Sequence, residues 1–156
     1  MNKRKLFIEA FDTLGSVWKA ENERKEIKDY EELNPPRGKK FASYHSPVKT
    51  GDNRCAAIKT TLYNPPEFVI IDSKTKTEEK VHVPGYMYPY RISAGNMQLA
   101  WVELQTDPRW DNRNYSVIRL MNLRDRTVKQ ISWKTRYMSA AISPDGRVIA
   151  VFGATG

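Results

Sequence analysis

Ile92-Ser93-Ala94-Gly95-Asn96-Met97-Gln98-Leu99-Ala100-Trp101 aligns without a gap on Ile142-Ser143-Pro144-Asp145-Gly146-Arg147-Val148-Ile149-Ala150-Val151, fifty residues further on. The same spacing carries Ile71-Asp72, Thr77 and Val81 onto Met121-Asn122, Thr127 and Ile131. Two matches at one offset mark an internal repeat. A period of this size is typical of propellers, solenoids and arrays, in which each unit buries its apolar faces against its neighbours.

Working outward, the chain after residue 40 is a series of runs rich in Val, Ile and aromatics, bounded by Gly, Pro, Asn and Asp, which is strand punctuation. The offset sorts them into units. The first takes strands at 40–46, 54–62, 67–73 and 78–83, and the second at 88–93, 97–104, 115–122 and 127–133. A third begins with 137–143 and 147–152. Leu99-Ala100-Trp101-Val102 and Val148-Ile149-Ala150-Val151-Phe152 are apolar without alternation, which suits strands covered on both faces. The expected fold is all-β, a partial β-propeller of four-stranded antiparallel blades at 41–156. A ring takes about four to eight blades, so two and a half leave apolar faces and a strand edge uncovered. The chain is therefore expected to be part of a longer polypeptide, or to complete a ring by self-association.

Ahead of the strands the period is different. Leu6, Phe7, Phe11, Leu14 and Trp18 recur at helical steps, which predicts one amphipathic α-helix within 1–33, running to about residue 30 with a charged far end. Asn34-Pro35-Pro36-Arg37-Gly38-Lys39-Lys40 then breaks the helix and reads as a linker at 34–40.

The strongest local motif is Ile142-Ser143-Pro144-Asp145-Gly146-Arg147 and the apolar run after it. Asp-Gly supplies a tight hairpin turn between two β-rich segments. These residues resemble the TolB-type WD40-like propeller repeat: an apolar residue, Ser-Pro-Asp-Gly, a basic residue, then a short apolar strand. Ser93-Ala94-Gly95-Asn96 keeps the turn without Pro and Asp, and Ser46-Pro47 is followed by the longer turn Val48-Lys49-Thr50-Gly51-Asp52-Asn53. The resemblance covers roughly residues 40–156 and implies an exported bacterial protein, periplasmic or at the cell surface. Such propellers act as interaction platforms or as gating domains attached to peptidases, and fold alone does not choose between them. The helix with Phe7, Phe11, Leu14 and Trp18 is also similar to the closing helix of a gluzincin-type metallopeptidase domain.

Composition narrows the class further. With 156 residues, 40% hydrophobic and 28% charged, the chain has the balance of a folded globular domain. It has no run of about 18 apolar residues that would span a membrane. Met1-Asn2-Lys3-Arg4-Lys5 imitates the basic start of a signal peptide, but Glu9 and Asp12 interrupt the segment that should be apolar, so no targeting signal is read. The net charge of +8 favours acidic partners, yet the basic residues are dispersed among 18 acidic ones, which argues against a nucleic-acid stripe. A single cysteine, Cys55, excludes an internal disulfide framework.

Catalytic patterns are missing from the sequence. There is no His-Glu-x-x-His pair to meet one zinc ion, no Gly-x-Ser-x-Gly elbow and no phosphate-cradling glycine loop. His45 and His82 read as ordinary strand residues and Cys55 as an inert thiol. Glu31-Glu32 and Glu78-Glu79 lie in charged segments, whereas acid/base work needs a carboxyl with a raised pKa in a cleft. No catalytic residue, metal or cofactor is expected.

Strand alternation divides the connecting turns between two sides. The turns between first and second strands, and between third and fourth, are short and polar. The other side collects Tyr63-Asn64-Pro65-Pro66, Tyr86-Met87-Tyr88-Pro89-Tyr90, a long loop from Asp107 to Arg113, and Trp133-Lys134-Thr135-Arg136-Tyr137. Tyr, Trp and Arg dominate interface hot spots. The expected binding residues are Arg109, Trp110 and Arg113 first, then Tyr86, Tyr88, Tyr90, Trp133, Arg136 and Tyr137. The expected function is a non-catalytic interaction module for a protein, peptide or glycan. The alternative is the substrate-gating propeller of a larger bacterial peptidase whose catalytic residues lie outside this chain.

Overall fold

The structure, a computed structural model, describes residues 3–23, 33 and 41–153. The chain divides into two compact units, Met1–Glu32 and Leu33–Gly156. In the first, α1 (Lys3–Glu23) carries Ile8, Phe11, Leu14, Val17 and Trp18 along its length, each more than half exposed. The expected extension of the helix toward residue 30, and the Pro-rich linker at 34–40, lie outside the described residues.

The second unit is built from antiparallel β-strands joined in sequence. β1 (Ala42–Lys49), β2 (Arg54–Thr61), β3 (Glu67–Asp72) and β4 (Glu78–His82) form one four-stranded sheet in chain order. β5 (Ile92–Gly95), β6 (Gln98–Asp107), β7 (Trp110–Asn122) and β8 (Val128–Gln130) form a second, and β9 (Tyr137–Ile142) pairs with β10 (Ile149–Gly153). Every strand expected from the fifty-residue offset has a counterpart.

The repeat persists in hydrogen bonds. The Asp72 N–H donates to the Thr77 carbonyl at 3.0 Å, and fifty residues later Asn122 donates to Thr127 at 3.0 Å. The side-chain oxygens of Asp72 and Asn122 each accept the N–H two residues on, from Lys74 and Arg124, both at 2.9 Å. Lys76 and Arg126 both take positive φ, at 54° and 59°. The short polar side chain at the start of each turn supplies the bonds that fold it.

Two expectations are corrected. The strand expected at 88–93 is Ile92–Gly95, preceded by a loop with a cis Tyr88–Pro89 peptide. The long loop expected between 107 and 113 is divided: Asp107 pairs with Trp110 across a turn at Pro108 and Arg109, and the register then shifts, so that the next pair is Thr106↔Asn114. The turn at Pro144-Asp145-Gly146 also places positive φ on Gly146 alone, at 74°.

The main core lies between the first two sheets. Ala56, Ile58 and Phe68 pack against Met87, Ile92, Leu99, Trp101 and Met121, and Phe68 meets the Trp101 ring edge-on with centroids 4.9 Å apart. Edge-to-face geometry sets the positive ring edge against the negative face. β6 is covered on both sides, since Leu99 and Trp101 on one face and Ala100 on the other are all at most 1% exposed. That coverage explains its unbroken apolar run. β10 differs: Val148, just before it, and Phe152 within it remain 61% and 69% exposed.

The first strands of the three sheets neighbour one another, β1 beside β5 and β5 beside β9. Each junction has the same device. Ser46 Oγ accepts the Ile92 N–H at 3.2 Å, and Ser93 Oγ accepts the Ile142 N–H at 3.0 Å. Backbone contact is close enough at the second junction that a Cβ on Gly95 would stand 2.0 Å from the Ser143 carbonyl oxygen.

Gly95→Ala is expected to lower unfolding free energy by about 3 kcal/mol through this clash. Ser93→Ala should cost about 1–3 kcal/mol by leaving the buried Ile142 N–H without a partner. Urea unfolding monitored by tryptophan fluorescence checks both; wild-type midpoints would show that the junction carries no strain or stabilisation.

Candidate functional site

Unequal strand lengths create the site. β6 and β7 have 10 and 13 residues, whereas β5 and β8 have 4 and 3, so the β6–β7 hairpin outruns its neighbours. β5 pairs only with Gln98 to Trp101 and β8 only with Arg119 to Met121. The remainder forms a two-stranded arm with Pro108 and Arg109 at its tip. Asp107 Oδ1 accepts the Arg109 N–H at 2.9 Å, which closes the turn. Arg109, Trp110 and Arg113 are all exposed.

The segment 131–136 straps onto this arm. Ser116, 2% exposed, exchanges both backbone hydrogen bonds with Thr135, at 2.7 and 3.0 Å. The Ser116 hydroxyl adds a bond to the Thr135 carbonyl at 3.1 Å, and the Thr135 hydroxyl donates to the Ser116 carbonyl at 2.8 Å. Lys134 takes a left-handed φ of 45° beside this double anchor, and its ammonium lies 5.9 Å from the Tyr115 ring centroid. Between arm and strap is a cavity of about 230 Å³. Asp107, Arg113, Asn114 and Tyr115 line it from the arm, and Lys134, Thr135 and Arg136 from the strap.

The nine residues expected to bind a partner therefore separate. Arg113 and Arg136 line the same cavity. Arg109 and Trp110 occupy the hairpin end of the arm, Trp133 precedes Lys134 on the strap, and Tyr137 opens β9. Trp110 and Trp133 are each 65% exposed. Tyr86, Tyr88 and Tyr90 belong to another segment, held by the buried Met87 and by the bond from the Leu104 N–H to the Tyr86 carbonyl at 2.8 Å. Tyr86 and Tyr88 are exposed, while Tyr90 lies beside His45, ring centroids 5.7 Å apart.

A buried carboxylate behind this face escaped the sequence reading. Glu103 accepts the Trp101 indole N–H at 2.8 Å, the Gly85 N–H at 3.0 Å and the Arg119 Nε–H at 3.0 Å. Burial pushes its carboxyl up, but these three donors together outweigh burial and hold it below the usual carboxylate range. Glu103 is thus an anion with both oxygens hydrogen-bonded, and it ties the loop before Met87 to the centre of the second sheet. The available signal was a lone acid within the apolar run Val102-Glu103-Leu104. His82 lies beside the Phe68 and Trp101 rings, at 5.9 and 5.4 Å. Burial depresses its pKa, and Arg119 adds to the depression while Glu103 opposes it.

The remaining titratable candidates have structural partners. Glu78 accepts the Tyr44 hydroxyl at 2.5 Å and pairs with Lys59, while Glu79 pairs with Arg126. Glu31-Glu32 lies outside the described residues. Burial raises the Cys55 pKa, so its sulfur rests as the thiol, the weaker nucleophile. Among the described residues no group of three His, Cys, Asp or Glu is arranged to hold a metal ion, and no helix is long and apolar enough to cross a membrane. No family model, curated protein or solved structure matches the chain.

Two outcomes are expected for the buried network. Glu103→Gln should cost about 3 kcal/mol, because it leaves the Arg119 charge with no compensating anion. His82 has a folded pKa below the ordinary 6.5, so the unfolded chain binds more protons as pH falls through that value, and stability declines. Glu103 stays ionised at pH 5.5, its carboxyl being held low. Urea midpoints at pH 7.5 and 5.5 should therefore differ less in His82→Phe than in wild type; an equal difference would assign the pH dependence elsewhere.

Proposed function

We propose that this chain is a non-catalytic interaction module of β-propeller type that binds a protein, peptide or glycan through the face bearing the arm and strap. The propeller reading is supported by consecutive four-stranded meanders packed face to face, with their first strands side by side. It is supported as well by the Ser-Pro-Asp-Gly motif and its resemblance to TolB-type repeats.

The observation that carries the binding reading is the exposure of Trp110 and Arg109 on the arm and of Trp133 on the strap, the two segments whose Arg113 and Arg136 line a walled cavity. Two indoles at 65% exposure contribute little to the fold, whereas burying them under a partner removes large apolar surfaces from water. Arginine adds planar donors that pair with carboxylates and stack on rings. The strap is anchored by backbone and hydroxyl bonds between Ser116 and Thr135, so the backbone that carries Trp133 and Arg136 is held before any ligand arrives.

Replacing Arg109, Trp110 and Arg113 together with Ala is the direct test. On immobilised peptide and glycan arrays, wild-type binding should fall at least about 30-fold, equivalent to one hot spot of about 2 kcal/mol. The melting temperature should not change, since all three side chains are exposed. Array binding that persists in the triple variant would remove the reading.

A further inference from the structure

The cavity between arm and strap has an uncompensated charge. Arg113, Lys134 and Arg136 line it, and among the described residues none of the three forms an ion pair. Among the described residues the one acid on its wall is Asp107, whose Oδ1 accepts the Arg109 N–H. Three cations facing one carboxylate across a small recess call for an anionic ligand group, and guanidinium forks are suited to a carboxylate.

The rest of the lining narrows the class. Asn114 and Thr135 add an amide and a hydroxyl, Tyr115 is covered on one side by Lys134, and among the described residues no aliphatic side chain lines the cavity. Asp107 supplies an acceptor that an acid alone cannot use and that a ligand with hydroxyl donors can. A volume of about 230 Å³ is below that of sites for drug-sized ligands, about 300–1,000 Å³, and suits a single ring. The exposed Trp110 on the arm and Trp133 on the strap offer flat faces for adjoining sugar units.

We infer that this cavity is a subsite for one carboxylate-bearing sugar, a uronic acid unit of an acidic glycan. Arg113, Arg136 and Lys134 hold its carboxylate, and Asp107, Asn114 and Thr135 hold its hydroxyls. The assignment rests on the loop-face binding reading above and specifies its ligand.

The test is fluorescence polarisation with labelled tetragalacturonate, its fully methyl-esterified counterpart and a tetraglutamate peptide. Wild type should bind tetragalacturonate at least about 10-fold more tightly than either of the others, with affinity falling as salt is raised. Arg136→Gln and Arg113→Gln should each weaken tetragalacturonate binding about 10-fold with unchanged melting temperature. Asp107→Asn gives the sharpest outcome: charge counting predicts stronger anion binding, whereas loss of a hydroxyl acceptor predicts several-fold weaker sugar binding with no loss for tetraglutamate. Equal affinity for acid and ester, tighter binding of tetraglutamate, or a gain in sugar affinity in Asp107→Asn would each overturn the assignment. Array capture that depends on Arg109, Trp110 and Arg113 without tetragalacturonate binding would sink the subsite and leave the loop-face reading intact. Tetragalacturonate binding lost in Arg136→Gln, with array capture indifferent to the triple variant, would sink the wider face instead.

Discussion

The outer edge of each first strand is the constraint around which the second unit is arranged. β1, β5 and β9 are each the first strand at the edge of a sheet, and such a strand presents unpaired N–H and C=O groups. Full pairing between them would fuse the sheets into one. A serine hydroxyl instead takes a single N–H at each junction, Ser46 for Ile92 and Ser93 for Ile142. One bond per junction satisfies a donor and leaves the sheets separate enough to stack face on face. The absence of a side chain at Gly95 then lets the Ser143 backbone approach. Small residues at these positions follow from that spacing, since a larger side chain would push the strands apart.

Stacking in turn requires the second sheet to be buried on both faces, which is unfavourable for any charge it carries. Glu103 is tolerated because both its oxygens accept hydrogen bonds, from an indole and a backbone amide on one and a guanidinium on the other. The same bonds serve the loop that precedes β5. Gly85 approaches so closely that a Cβ there would stand 3.0 Å from Glu103 Oε2, and Met87 is driven into the core next to it. Exposed Tyr86 and Tyr88 thus project from a segment fixed on its inner side. The first sheet treats its outward face differently. Tyr44 packs on Ala57, Val69 and Ile71, and the Lys59–Glu78 and Lys80–Glu67 pairs share that face by register.

Period and turn chemistry made most of the strand layout legible. The offset found the strands because backbone turns are specified locally: Asp72 and Asn122 fold equivalent turns with equivalent bonds. Where local chemistry is ambiguous, reading failed. Asp107-Pro108-Arg109-Trp110 has loop composition, yet Asp107 pairs with Trp110 beyond a register shift and leaves only Pro108 and Arg109 in the turn. Tyr88, Pro89 and Tyr90 have strand composition but form a loop, since the core takes Met87 and Ile92 on either side. Glu103 could not be placed from sequence because its three partners come from β6, β7 and the loop before β5, a coincidence only the fold creates. The aromatic and arginine residues were identified by type, while their separation into a cavity-lining group and a second group depends on the Ser116–Thr135 bridge.

That bridge also decides what the face can do. A cationic cluster on a free loop would lose binding energy to ordering each long side chain and the backbone beneath it. Here the strap's backbone is ordered in advance: four hydrogen bonds between Ser116 and Thr135 hold the residues on either side, Lys134 and Arg136, against an arm paired in register out to Thr106↔Asn114. Ser116 itself is nearly inaccessible, so the bonds are shielded from competing water. On the strap, what remains to be ordered by a ligand is the side chains of Lys134 and Arg136. Rigidity comes from the sheet and charge from its margin, so changes to the three cations should alter affinity while leaving the stability of the sheet nearly untouched.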